Sequence, residues 1–349
     1  MRIFIILTVS VVCVLPSAAF AQQASQSTAP IPDFSRIWTR SGFPWFEPPA
    51  SGPGPVTNKS RWPYIVNQRL GGSPGGSPGL PPSEDGQGVS DYDQLVGDYT
   101  NPILQPWAAA VVKKFGEMSL AGITYGNPSN QCWPEPVPFI YKQLRVLIIQ
   151  QPDTITFVYS DNVDVRRVHL NQHHEPLTPA LYGDSVGHYE GDTLVIDTVA
   201  VRTDRPYAMI DLFGTPYTKS LHVVERYRLR EYDDIKDALE RHKKENWLPA
   251  GDTYSGHRGK FLQLHLTIED EGVFTTPWTA TITYVPGPDT WSEVVCAENT
   301  HQYYYNNEAD VPAVWNAEHG IALDDLVSAL EHEFHAAEIS EGGPSPLGV

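Results

Sequence analysis

The chain has 349 residues, with 24 Lys and Arg against 42 Asp and Glu, a formal net charge of -18. That balance argues against nucleic acid and anionic membrane surfaces as partners. An aromatic content of 11% supplies enough large apolar side chains for a packed core, which argues against wholesale disorder.

The N-terminus reads as an export signal. Arg2 supplies the positive charge, residues 3–15 an apolar run, and Ala19-Phe20-Ala21 a small-residue cleavage site, so cleavage is expected after Ala21. The run is too short for a good membrane span, and no later segment is long and apolar enough. The expectation is a periplasmic or secreted protein with no membrane partner. Cys13 lies inside the apolar run and not at the cleavage site, which weakens a lipoprotein reading. Cleavage leaves Cys132 and Cys296, and an oxidising compartment favours a disulfide between them, with two buried thiols as the alternative. In the chain-entropy model a loop of this length contributes at most about 5 kcal/mol.

Residues 22–100 form an irregular, Pro- and Gly-rich arm with little hydrophobic periodicity. Its stretch 71–88 (GGSPGGSPGLPPSEDGQG) carries almost no packing side chains and reads as a flexible loop or linker. Trp38, Phe43, Trp45, Phe46, Trp62 and Tyr64 precede it as aromatic anchors that drape the arm over the domain. The spacing of Trp107, Val111 and Phe115 predicts a helix over 106–118, with Pro106 in the first turn, where a missing N–H costs nothing. A Pro-rich loop follows over 127–138 and holds Cys132.

A β-rich domain spans 101–300. Predicted strands are 143–150, 154–159, 164–170, 186–189, 193–201, 221–229, 261–270, 278–285 and 291–297. Turn signals such as Gln151-Pro152-Asp153 and Glu190-Gly191-Asp192 separate them, and short connections favour antiparallel neighbours. The expected fold is mainly β, an antiparallel barrel-like sheet with a few peripheral helices; a β-sandwich is the runner-up. Residues 232–247 (YDDIKDALERHKKENW) interrupt the strands as a charged helical insertion, either solvated or a lid. In the C-terminal tail, 301–349, an amphipathic helix is predicted over 323–339.

The segment 182–198 (YGDSVGHYEGDTLVIDT) is distinctive. Together with 221–227 (LHVVERY), Ile268-Glu269-Asp270, Pro277-Trp278 and 293–299 (EVVCAEN), it resembles a large, functionally uncharacterised group of exported bacterial β-rich proteins. Residues 101–110 (NPILQPWAAA) and the loop around Cys132 resemble the same group, so the likeness covers roughly 101–299. It implies one domain and one fold, and no activity. The chain departs from that pattern at Tyr189, where Trp is expected, and in the helical insertion after Glu231.

Chemistry enters through carboxylates on apolar strand faces. Alternation groups Val195, Asp197, Val199 and Val201; Leu221, Val223, Glu225, Tyr227 and Leu229; Leu262, Leu264, Leu266, Ile268 and Asp270; and Trp291, Glu293, Val295 and Ala297. A buried carboxylate is costly unless paired, so several together predict an internal polar site. Arg166 shares a face with Val168 and Leu170 and is a plausible buried counter-ion. His169, His173 and His174 cluster in one stretch, while His188 and His222 lie on other strands; histidine shuttles protons and ligates metals. By alternation His222 points away from Glu225. No G-x-S-x-G elbow, phosphate loop or dinucleotide fingerprint is present.

The leading expectation is an exported, cofactor-independent acid–base enzyme, a lyase, isomerase or hydrolase acting on a small organic or sugar-like substrate. Glu225 and Asp197 are its acid and base, His222 or His174 the proton shuttle, and Arg166, Tyr227, Glu293 and Asp270 the substrate-binding groups. The alternatives are a non-catalytic binding protein for a small molecule, a hydrolase using a divalent metal, and a structural Arg–carboxylate network with no turnover.

Overall fold

A computed structural model describes residues 31–40, 44–62, 89–90, 94–123, 125–161, 164–175, 177–204, 208–245, 257–288, 290 and 296. The predicted signal peptide, the 71–88 stretch, the predicted 291–297 strand apart from Cys296, and the predicted 323–339 helix lie outside the described residues.

Nine strands close into a barrel. They are β1 (Arg36–Thr39), β4 (Arg145–Gln150), β5 (Thr154–Tyr159), β6 (Val165–Leu170), β7 (Asp184–Glu190), β8 (Thr193–Val199), β9 (His222–Arg230), β10 (Phe261–Glu269) and β11 (Trp278–Pro286). Two short strands outside the barrel, β2 (Arg61–Trp62) and β3 (Val89–Ser90), pair with each other. The order around the barrel is β1-β11-β10-β9-β8-β7-β6-β5-β4, and β1 pairs antiparallel with both β11 and β4. Sequence neighbours pair antiparallel from β4 to β6 and from β7 to β11, as the short turns imply.

The sheet departs from the expected all-antiparallel pattern once. β6 and β7 run parallel, with His169 opposite Val186 and Leu170 opposite Gly187. A parallel pair requires the chain to cross back outside the sheet, and residues 171–183 make that crossover.

The closing strand comes from the arm. β1 is only four residues long, RIWT, and four residues show no usable period, so the sequence gives no strand signal there. Trp38 from β1, with Trp45, Phe46 and Val56 behind it, is nonetheless part of the main core. Trp38, Trp45 and Phe46 are therefore core residues, not a surface drape, while the side chains of Phe43, Trp62 and Tyr64 lie outside the described residues.

Alternation fills the barrel. Val146 and Ile148, Ile155 and Phe157, Val168, Leu194 and Ile196, Val223, Leu262 through Ile268 at every second position, and Ala280 and Ile282 are all almost completely shielded from solvent. A small barrel filled in this way is a packed interior, not an open lumen.

Helix α1 (Pro106–Leu120) packs at the turn joining β10 to β11: Gln105 N–H donates to the Val273 carbonyl and Trp107 Nε1–H to the Gly272 carbonyl. Phe115 of α1 lies against the 209–216 loop, where Gly214 has φ +76° and an added Cβ would sit 2.4 Å from the Phe115 ring; only glycine fits. Helix α2 (Tyr232–Glu245), the charged insertion, buries Ile235 and Leu239 against Phe261 and Val285 at the rim where β10 begins. It is anchored on one face and is not a fully solvated excursion. Cys132 and Cys296 form a disulfide, with Cα atoms 5.3 Å apart across a separation of 164 residues.

Candidate functional site

Among the described residues the barrel interior holds one ion pair. Arg166, on the inward face of β6, and Glu225, on the inward face of β9, are 1% and 0% exposed. Arg166 grips the carboxylate with both terminal nitrogens, at 2.9 Å to Oε2 and 2.5 Å to Oε1. Its remaining N–H groups reach the Ser185 hydroxyl at 3.0 and 3.2 Å, Thr198 at 2.7 Å and Tyr141 at 3.2 Å. Tyr227 donates to Glu225 at 2.9 Å, and the guanidinium stacks 5.7 Å from the Phe157 ring.

Every donor of the guanidinium thus has an acceptor, which is the condition for keeping a charge in a low-dielectric interior. Burial would lower the Arg166 pKa, but the Glu225 charge beside it reverses the direction and holds Arg166 cationic. Burial also pushes the Tyr227, Tyr141 and Tyr159 hydroxyls well up, the Glu225 charge adding to it, so they stay protonated donors. The sequence places Arg166, Glu225 and Tyr227 together correctly. It misses Ser185 and Thr198, whose short hydroxyls carry no signal of their own.

Asp197 is not in this interior, and this corrects the expected pairing with Glu225. On β8 the inward residues are Leu194, Ile196 and Thr198, while Asp197 sits on the outer face with a 40% exposed side chain. Both faces of β8 are apolar-rich, Leu194 and Ile196 on one and Val195 and Val199 on the other, so alternation alone cannot assign them.

On the outer wall Asp197 meets both predicted proton carriers. His174, on the crossover after β6, faces Asp184 Oδ2 with Nδ1 at 2.6 Å and Asp197 Oδ1 with Nε2 at 3.1 Å. His222, at the start of β9, faces Asp197 Oδ2 with Nε2 at 3.0 Å and Glu269 Oε2 with Nδ1 at 3.6 Å. The result is an alternating chain, Asp184–His174–Asp197–His222–Glu269, laid across β7 to β10 and roughly one-quarter to one-half exposed. As alternation requires, His222 lies opposite in sense to Glu225.

Geometry dictates protonation here. Ionised carboxylates only accept hydrogen bonds, so an imidazole with a carboxylate at each nitrogen must donate from both and carry a proton. Burial would lower the His174 pKa, but the hydrogen bonds to Asp184 and Asp197 outweigh it and raise the pKa. The bond to Asp197 raises that of His222, and the bond from His222 holds Asp197 below the usual carboxylate range.

The other predicted residues lie elsewhere. Asp270 is buried just past β10 and accepts from Thr218 N–H and Oγ1–H, each at 2.6 Å, and from Gly272 N–H at 3.1 Å, so it fixes a turn. It meets none of the Arg166 network, which separates it from the substrate-binding group expected of it. Glu293 lies outside the described residues.

Two further acid sites escaped the sequence reading. Glu135, fully buried in the Pro-rich loop beside Cys132, accepts from Ser129 at 2.7 Å and Gln143 at 3.1 Å and pairs with Lys142 at 2.9 Å. Its neighbour Asp164 accepts from Tyr182 at 2.7 Å and from the Glu135 N–H at 3.3 Å. Burial raises both carboxyls despite these donors. Asp211 caps the 209–216 loop through Thr215 Oγ1–H at 2.8 Å and Phe213 N–H at 2.9 Å, and burial pushes it up to about 7. Lone acids in loops have no periodicity to reveal which of them fold inward.

Among the described residues no group of three or more His, Cys, Asp or Glu side chains is placed to hold a metal ion, and no helix is long and apolar enough to cross a membrane. Comparison with family models, curated proteins and solved structures finds no match.

Proposed function

We propose that this is an exported enzyme that uses carboxylate and histidine acid–base chemistry on a small organic or sugar-like substrate, with the reacting groups on the outer wall of the barrel. The observation that carries this reading is His174, with one ring nitrogen on Asp184 and the other on Asp197 while a quarter of its side chain remains open to solvent. A proton held there is available to a substrate oxygen. The longer of its two contacts, Nε2 to Asp197 at 3.1 Å, is the one a substrate acceptor would replace. His222, on the other oxygen of Asp197, keeps that carboxylate anionic during the transfer. The Arg166–Glu225 pair, sealed and fully hydrogen-bonded, serves as the frame that fixes β6 and β9 in register, and water has no route to it for turnover. The disulfide and the N-terminal run fit an exported protein with no membrane partner.

The test is a panel of chromogenic esters, lactones and glycosides, with proton exchange beside a carbonyl as a fourth class. Wild type should turn over one class, and His174→Gln should lose about 100-fold or more of it with an unchanged circular dichroism spectrum. Undiminished turnover in His174→Gln would overturn the assignment. Inactivity on all classes, with an unchanged small molecule extracted from the purified protein, would make it a binding protein.

A further inference from the structure

The crossover between the parallel strands β6 and β7 lies outside the sheet as an exposed strap. Of its described residues from 171 to 180, every one is exposed except His174. Its two ends are tied by backbone bonds, Asn171 N–H to the Gly187 carbonyl at 2.7 Å and Ala180 N–H to the Ala200 carbonyl at 3.0 Å. Between those ends, among the described residues, His174 alone makes a hydrogen bond, and it makes two, to β7 and to β8. Leu177, about half exposed, contributes no buried anchor.

We infer that His174 is a proton-dependent clasp: when protonated it fastens the strap to the outer wall, and when neutral it releases it. The reason is donor counting. A neutral imidazole has one N–H and one lone pair, so it can satisfy Asp184 or Asp197 but must set its lone pair against the other carboxylate. Losing the proton therefore exchanges one of two attractive contacts for a repulsive one, at the strap's single mid-length fixing point. The groups facing His174 are Asp184 from β7 and Asp197 from β8; Asp197 is in turn faced by His222 from β9, which Glu269 of β10 backs. On the strap itself, His173 and Glu175 are exposed. Because its two carboxylate partners raise the pKa of His174, the fastened form persists to higher pH than a free imidazole would allow and gives way as pH rises further. This gating stands on the strap's contacts and holds whether or not the wall turns over a substrate.

A nitroxide attached at Thr178→Cys, an exposed strap position, reads the clasp directly. Its spectrum should be broad at pH 6 and narrow at pH 9, with a midpoint matching the His174 ring titration followed by NMR. His174→Gln should give the narrow spectrum at both pH values, and Asp184→Asn should move the midpoint to lower pH. Identical spectra at pH 6 and 9 in the otherwise wild-type protein, or a pH response that survives in His174→Gln, would overturn the proposal.

Discussion

The two sides of the barrel wall place acids beside cations in opposite ways. Inside, Glu225 is 0% exposed and meets Arg166, two tyrosines of raised pKa and the Thr198 hydroxyl, all of them held in the packed interior. Outside, Asp197 is 40% exposed and meets two imidazoles, titratable cations whose pKa values are raised by their carboxylate partners. A guanidinium keeps its charge at any physiological pH, so the inner pair can hold the fold but cannot pass a proton. Imidazole gives its proton up, so the outer chain can react or switch but adds little to stability. The same two residue classes are thus divided by burial into a fixed pair and a titratable chain.

The largest expected effect tests the scaffold. Glu225→Gln leaves the Arg166 charge buried without its anion and should cost about 3–5 kcal/mol in urea unfolding. Adding Arg166→Met should recover part of that loss, with a coupling of about 0.5–3 kcal/mol in a double-mutant cycle. If Glu225→Gln folds with wild-type stability, the inner pair is not the frame and the contrast fails.

Asp211 sharpens the contrast as a buried carboxyl that accepts from the Thr215 hydroxyl and from the Phe213 and Thr215 N–H groups. Its folded pKa of about 7 stands above the free value of 3.8, so the folded state holds the proton more tightly. Its contribution to stability is full below 3.8, where both states are protonated, and is lost as pH rises from there through about 7. Asp211→Asn keeps an acceptor oxygen and should stabilise the protein at pH 8 by about 1–3 kcal/mol while changing little at pH 4. An unchanged pH–stability slope in Asp211→Asn would show that burial does not raise the Asp211 pKa.

The smallest effect on stability, and the most informative on chemistry, belongs to Asp197→Asn. It should cost at most about 1 kcal/mol, as a partly exposed pair does. Both His174 and His222 should titrate lower, toward the ordinary 6.5, in NMR of the ring protons. The stability lent by the histidines is complete below that value and fades as pH rises through their raised pKa values; that lent by Asp197 is complete above 3.8 and fades as pH falls. The outer chain therefore works in a window between the two. Unshifted histidines in Asp197→Asn would break the chain at its centre.

The sequence by itself determines most of the barrel and half of the site. β4 to β11 stand close to where alternation puts them, because every second residue of a strand must be apolar to fill a barrel interior. Arg166, Glu225 and Tyr227 are found for the same reason: a polar residue in register with apolar neighbours has to turn inward with them. Cys132 and Cys296 are the two cysteines left after the predicted signal, so the sequence allows one pairing or two free thiols, and the structure decides for the bond. Tertiary structure alone decides the rest. β1 is too short to have a period and becomes a strand only because two edges, β4 and β11, need a partner. β8 is apolar on both faces, so the side taken by Asp197 is set by the neighbours β7 and β9, not by its own residues. His174 belongs to a crossover without periodicity, and it meets Asp184 and Asp197 only because β6 and β7 run parallel. Local pattern reports which residues avoid water; which polar groups then share one place depends on strand order, a property of the whole chain.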